Sequence, residues 1–182
     1  MFPSTPTHLT LSQLRAIAAS SPLGRLEALL PHLNLTLDRY DITTPLRKCH
    51  FLAQIAHESD GFRTNEEYAS GSAYEFRRDL GNTEPGDGRR FKGRGLIQVT
   101  GRYNYADCGR ALGVDLIRAP QRLADFDLAA LSAGWFWERE RLNPLADRDD
   151  LTTITRRING GFNGLEDRRN YLLRSKRTFG IG

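Results

Sequence analysis

The sequence predicts a mainly α-helical domain, and three observations carry that expectation. Apolar residues recur at helical spacing over most of the chain, as in Leu26, Leu29, Leu30 and Leu33. Helix-start signals stand where such stretches begin. Thr44-Pro45 is the clearest, because threonine caps well and proline is tolerated at the first helical position. Only the stretch from Gly81 to Gly95, with Pro85 and five glycines, departs sharply from this pattern. At 182 residues the chain is most simply one domain, with room for two lobes around a groove. A chain of this length buries roughly 70% of its unfolded surface and needs no disulfide framework.

Taken in order, Thr10 or Ser12 caps a first helix through Leu14 and Ile17, which Pro22-Leu23-Gly24 interrupts. The leucine-rich helix follows. The helix after Thr44-Pro45 buries Leu46, Cys49, Leu52 or Ala53, and Ala56, and Gly61 closes it, so Glu58 falls in its last turn. Gly81 to Gly95 reads as a loop around a short hairpin, and Leu96 to Thr100 as a strand. Helical pattern returns over Tyr103 to Leu112 and Leu128 to Arg141, where Trp135 and Trp137 are expected to pack into the core rather than stack on a sugar. Thr152 to Ile158 and Leu165 to Thr178 complete the set. No repeat, low-complexity tract or linker is evident.

The composition excludes several classes. Hydrophobic residues make up 39% and charged residues 26%, as in an ordinary soluble protein. No apolar run approaches the length of a transmembrane helix, and the N-terminus lacks the pattern of a secretory signal. The expectation is synthesis in the cytoplasm, with free, buried thiols at Cys49 and Cys108. Net charge is +4 with a pI near 9.3. The excess gathers at Arg156, Arg157, Arg168, Arg169, Arg174, Lys176 and Arg177, either as a solvated helix face or as a patch drawn to anionic polymers.

The residues richest in chemistry lie between Phe51 and Tyr105. Glu58, flanked by Ile55, Ala56 and Phe62, is expected to be partly shielded from water, a setting suited to a proton-donating carboxyl. Glu67 stands nine residues on in a polar segment, where a solvated carboxylate can activate water; Glu66 is its obvious rival. Two carboxyl groups in different environments are what hydrolysis of a glycosidic bond requires. Gly93-Arg94-Gly95 leads to Gln98 and Thr100, which a strand would place on one face to hold a water or an acetamido group. His50 and His57 lack zinc-motif spacing, the glycines do not form a phosphate loop, and Ser59 sits on no nucleophile elbow. No metal or cofactor is expected.

Together these segments resemble glycoside hydrolase family 19, which contains chitinases and a branch of phage and prophage endolysins. The resemblance spans residues 44–171. It rests on Phe51-Leu52-Ala53-Gln54, His57-Glu58-Ser59, Lys92-Gly93-Arg94-Gly95-Leu96-Ile97-Gln98-Val99-Thr100, Tyr103-Asn104-Tyr105, Cys108 to Gly113, and Ile158-Asn159-Gly160-Gly161. It implies a lysozyme-like, two-lobed helical fold and an inverting mechanism. Glu58 would be the general acid, Glu67 the general base and Thr100 the residue orienting water. Gln98, Tyr103, Asn104, Asn159 and Arg168 would line the groove or support the acids. Plant-type members carry the base on a longer insertion, where this chain offers Glu75 or Asp79. Cys108 matches a family cysteine that has no evident partner here.

Chitin and peptidoglycan both present β-1,4-linked N-acetylhexosamines. The basic balance, the absent signal and the trimmed loops favour peptidoglycan, and with it a muramidase-like endolysin. Chitinase is the alternative, and a non-catalytic glycan- or nucleic-acid-binding protein a further one; no nucleic-acid motif is present. The expected organisation is one catalytic domain over 1–182, with an N-terminal helical segment at 1–43 and no separate wall-binding module. The expected state is a monomer acting in the periplasm after holin-mediated release. Its expected partners are peptidoglycan strands, with anionic outer-membrane lipid at the basic C-terminal segment.

Overall fold

The computed structural model describes residues 8–181, so the first seven residues of the N-terminal segment lie outside the described residues. Helix α1 (Leu11–Ile17) opens with the expected cap: the Thr10 hydroxyl accepts from the Gln13 amide, and Gln13 returns a bond to the Thr10 amide. Pro22 does not break the chain for long. It is the N-cap of α2 (Leu23–Arg39), which buries Leu26, Leu29, Leu33 and Leu37. Helix α3 (Pro45–Glu58) starts under the Thr44 cap and is capped by Ser59, two residues before the expected closing Gly61.

After α3 the chain runs through loops and short turns, among them α4 (Asp87–Arg90). Regular helix resumes with α5 (Arg102–Leu112), then α6 (Phe126–Arg139), the short α7 (Asn143–Ala146), α8 (Leu151–Asn159) and α9 (Leu165–Phe179). The mainly helical expectation holds, and the three long helices predicted after residue 120 fall within a few residues of their observed ends. No described helix is long and apolar enough to cross a membrane.

Two local expectations fail. Gly81 to Gly95 folds into turns and the short α4 rather than around a hairpin, because its residues turn back on Glu75 and Asp87 instead of pairing as strands. Leu96 to Thr100 is not a strand either. Arg94 makes isolated antiparallel bridges to Glu66 and to Val99, and Gly95 to Gln98 is a turn in which Gln98 takes a left-handed backbone (φ 56°). The cause lies in packing. Leu96, Ile97 and Val99 are all buried, and the Leu96 amide bonds the Ala129 carbonyl of α6, so the segment docks on a helix rather than alternating between two faces.

The main core joins α1, α2, α3, α5 and α6, and a smaller cluster of Cys49, Ala53, Leu151 and Leu172 seals α3 against α8 and α9. Helices α2 and α6 approach so closely at Gly134 that a Cβ there would lie 2.1 Å from the Tyr40 ring. Trp137 packs edge-on against Phe51 at 5.3 Å and donates to Asn143, whose amide reaches the Tyr40 carbonyl. Trp135, on another face of α6, is buried in the same core cluster, so both tryptophans serve the core. Cys49 and Cys108 are free and buried, and burial pushes each thiol up to about 12.

Candidate active site

The end of α3 forms one wall of an open cleft of about 450 Å³. His57, Glu58, Asp60, Gly61, Arg63 and Thr64 enter from this helix and its following turn, Glu67, Tyr68 and Gln98 from the loop side, and Asp167 and Tyr171 from α9. Glu58 and Glu67, predicted from sequence as a pair, therefore share one cavity.

Glu58 is held from behind by a buried relay. Arg168, fully buried on α9, donates one guanidinium nitrogen to Glu58 Oε1 at 2.5 Å and another to Gln54 Oε1 at 2.6 Å. The Gln54 amide in turn donates to the Thr155 hydroxyl of α8. The setting expected from Ile55, Ala56 and Phe62 alone is thus incomplete: all three are buried beneath, but the carboxyl itself meets a guanidinium. Gln54 was visible in sequence only as part of a motif. Its position one helical turn before Glu58 places both on one face and explains why a polar residue stands in a buried stretch.

His57, beside Glu58, bonds Asp167 through Nδ1 at 2.7 Å. Gly164 lies against its ring, so closely that a Cβ there would fall 2.2 Å from the imidazole. This His57–Asp167 wall is read poorly from sequence, because its halves are far apart in the chain.

Glu67 is held by backbone and phenol. Its amide donates to the Gly93 carbonyl and its Oε1 accepts from the Gly93 amide, both at 3.0 Å. The Tyr74 hydroxyl donates to Oε2 at 2.9 Å. Burial, then the Glu67 carboxylate, raises the Tyr74 phenol above its ordinary pKa, which keeps it a donor. The rival Glu66 instead pairs with Lys92 and Arg94 at 3.1 and 3.0 Å. Glu75 accepts from the Gly86 and Gly88 amides, and Asp79 pairs with Arg77; neither lines this cleft.

Gly93 also locates Thr100 and Gln98. A Cβ on it would stand 2.7 Å from Gln98 Oε1, 3.3 Å from Thr100 Oγ1 and 3.5 Å from the Glu67 carboxyl carbon, so the three side chains converge on its bare face. They are not aligned by a strand, as expected, but by the turn: Thr100 Oγ1 donates to the Gln98 carbonyl at 3.0 Å, and the Gln98 amide to the Gly95 carbonyl. Asn104 buttresses this turn by donating to the Thr100 carbonyl. Tyr103 faces a different hollow, with Phe76, and Asn159 ends α8 exposed, outside the residues lining the cleft. Among the described residues no three His, Cys, Asp or Glu side chains converge as a metal site requires.

The basic C-terminal surface is smaller than the sequence suggests. Arg168 is consumed by the site, Lys176 bonds Asp149, and Arg174 lies over the Tyr171 ring at 5.0 Å.

Comparison with known proteins agrees with this architecture. The family model described as chitinase class I, that of glycoside hydrolase family 19, matches residues 40–155. A glycosyl hydrolase family 19 domain-containing protein of Haemophilus influenzae is 30% identical over 168 residues, covering 75% of this chain and 82% of that protein. Endochitinase 3 of Solanum tuberosum is 41% identical over 114 residues, covering 53% of this chain and 35% of its own length. An Arabidopsis thaliana endochitinase is 36% identical over 154 residues, covering 80% of this chain and 53% of its own. The chain thus spans about half or less of these plant relatives. Among solved structures, chitinase C from Streptomyces griseus superposes with a TM-score of 0.76 at 21% identity, over 94% of this chain and 92% of that one. A class IV chitinase from Zea mays gives 0.62 at 22% identity, over 100% and 88%. At that identity both show a shared fold.

Proposed function

We propose, for a chain that belongs to glycoside hydrolase family 19 and is therefore a glycosidase, that it cleaves the β-1,4 bonds of bacterial peptidoglycan by inversion, as a muramidase-like endolysin. One observation carries the mechanism: Glu58 and Glu67 line a single open cleft of about 450 Å³ from different scaffolds, one helical and one loop-built; inversion requires a gap between them that admits a water. Glu58 gives its proton to the glycosidic oxygen as the bond to the anomeric carbon breaks. The Arg168 guanidinium then faces the carboxylate that this transfer creates. Glu67 takes a proton from the water that attacks the opposite face of the sugar. Thr100 commits its own hydrogen to the Gln98 carbonyl, so its oxygen lone pairs are free to accept from that water and aim it.

The peptidoglycan reading is supported by a net charge of +4 on a chain that would meet an anionic wall. Chitin hydrolysis is the second reading, favoured by the plant relatives and by the likeness to bacterial chitinase. Incubating the protein and its Glu58→Gln variant with purified Gram-negative peptidoglycan and with chitin oligomers, then identifying new reducing ends by mass spectrometry, separates them. Muramic-acid ends support the first reading; ends from chitin alone overturn it.

On this reading the enzyme forms in the host cytoplasm and reaches the wall after a holin opens the inner membrane. Co-expression with and without a holin tests this: lysis without one rejects it. The exposed Arg174 and Arg177 near the end of α9 are candidates for contact with anionic outer-membrane lipid. Replacing both with glutamine should slow lysis of intact cells from outside, and unchanged lysis removes that role.

A further inference from the structure

A second hollow, of about 430 Å³, opens beside the cleft between Phe76, Arg78, Asn82, Thr83 and Tyr103. Its two rings stand unusually bare: Phe76 is 59% exposed and Tyr103 61%. Neither is loosely placed. Tyr103 lies flat on Gly81, where a Cβ would fall 2.4 Å from the ring. Phe76 has a left-handed backbone (φ 56°), a costly conformation for a bulky residue, fixed on both sides by anchored neighbours. Glu75 before it is bound by two backbone amides, and Arg77 after it is paired with Asp79. A strained, water-facing phenylalanine held this firmly is not explained by packing.

Charge adds a second, independent observation. Arg77 has its carboxylate, but among the described residues the adjacent Arg78 guanidinium, which lines the hollow, has no hydrogen-bond or ion-pair partner. The hollow is also joined to the catalytic loop. Asn82 donates to the Tyr74 carbonyl while the Tyr74 hydroxyl holds Glu67, so a strand lying over Glu67 continues towards Phe76 and Tyr103.

We infer that this hollow is a distal sugar subsite that selects a carboxylate-bearing N-acetylhexosamine, stacking it between Phe76 and Tyr103 and pairing its acid substituent with Arg78. The apolar face of a pyranose suits a flat ring, and an unpaired guanidinium beside two rings gains more from a carboxylate than from the neutral groups of chitin; that carboxylate is the lactyl acid of a muramic acid whose stem peptide has been removed. The inference rests on the glycan-cleaving reading of the cleft and adds what distinguishes the substrate.

The test measures binding, so that it does not depend on cleavage. The Glu58→Gln protein, alone and combined with Arg78→Gln or Phe76→Ala, is titrated calorimetrically with two probes. One is a neutral chitin tetramer, the other short peptidoglycan strands stripped of stem peptides so that each muramic acid carries a free carboxylate. The subsite predicts a preference for the acidic strand that Arg78→Gln lowers about three- to fivefold, the effect of one exposed ion pair. That preference should shrink as salt is raised. Phe76→Ala should weaken both probes with unchanged circular dichroism. An acidic strand that binds no better than the tetramer, or a preference that survives Arg78→Gln, overturns the inference. A protein that shows the preference yet releases no muramic-acid ends keeps this subsite and loses the muramidase reading.

Discussion

The two walls of the cleft hold their carboxylates by different means. Glu58 ends a helix and is bonded through Arg168 to Gln54 and Thr155, side chains fully buried between α3, α8 and α9. Glu67 stands in a loop and is bonded to one backbone amide and one phenol. On the helical wall, placing Glu58 and holding the core together are the same task. On the loop wall they are separable. A glycosidase needs two carboxyls in unlike settings, and on the function proposed above the unlike scaffolds of Glu58 and Glu67 would supply them.

The largest test of that contrast is loss of the carboxylates themselves. Glu58→Gln and Glu67→Gln should each lower turnover of a cleaved glycan by about 10²–10⁴-fold. Glu75→Gln should leave turnover nearly intact while lowering the thermal midpoint, because its role is to cap the Gly86 and Gly88 amides. If Glu75→Gln were the inactive one, the assignment of the base would move.

Next comes Arg168→Met. It strands the Glu58 carboxylate and the Gln54 carbonyl, and breaking a buried pair from one side costs about 3–5 kcal/mol. Urea unfolding should show a loss near the lower end, since Glu58 still touches the cleft. Arg168→Lys should not rescue it, because one ammonium on a flexible stem does not span two acceptors in fixed directions.

Tyr74→Phe is the matching change on the loop wall. It should lower kcat by roughly tenfold, the effect of losing one hydrogen bond to a charged group, with little change in the unfolding midpoint. A drop in stability comparable to that of Arg168→Met would erase the contrast between the walls.

The smallest effect is a pH slope from the middle of α3. His50 is fully buried, with Nε2 2.7 Å from Asp149 and Nδ1 without a partner. Burial lowers its pKa below the ordinary histidine value, although Asp149 acts the other way. The unfolded chain therefore binds the proton more readily. Stability from this group is complete above about pH 6.5 and is lost as pH falls through that value, with a slope of at most about 1.4 kcal/mol per pH unit. Unfolding curves from pH 7.5 to 5 should be flatter for His50→Gln than for the parent; parallel curves would count against it.

Much of this was legible in the sequence, for identifiable reasons. Helix α3 was readable to the residue at its start because Thr44-Pro45 acts locally, and Glu58 followed from counting turns. The order of the motifs led to the family. What escaped was non-local. The strand expected at Leu96 to Thr100 is a buried turn because α6, some thirty residues on, supplies its partner carbonyl. Tyr74 carries no local signal at all; its role exists only because a loop folds it back onto Glu67. Thr155 and Asp167 likewise acquire their roles through contacts made about a hundred residues away. The basic tail was overcounted, since sequence does not show that Arg168 and Lys176 face inward.

The buried thiols give each half of the molecule a built-in reporter. Cys49 lies in the small cluster that seals α3 against α8 and α9, and Cys108 in the main core on α5. With thiols pushed up to about 12, the reactive thiolate is on the order of one molecule in 10⁴–10⁵ near neutral pH, and burial closes access to the rest. An alkylating reagent therefore reads each site only when the chain around it opens. Labelling of Cys49 times the loosening of the wall that carries Glu58, and labelling of Cys108 times that of the main core. The two clocks run in one sample, without an engineered probe.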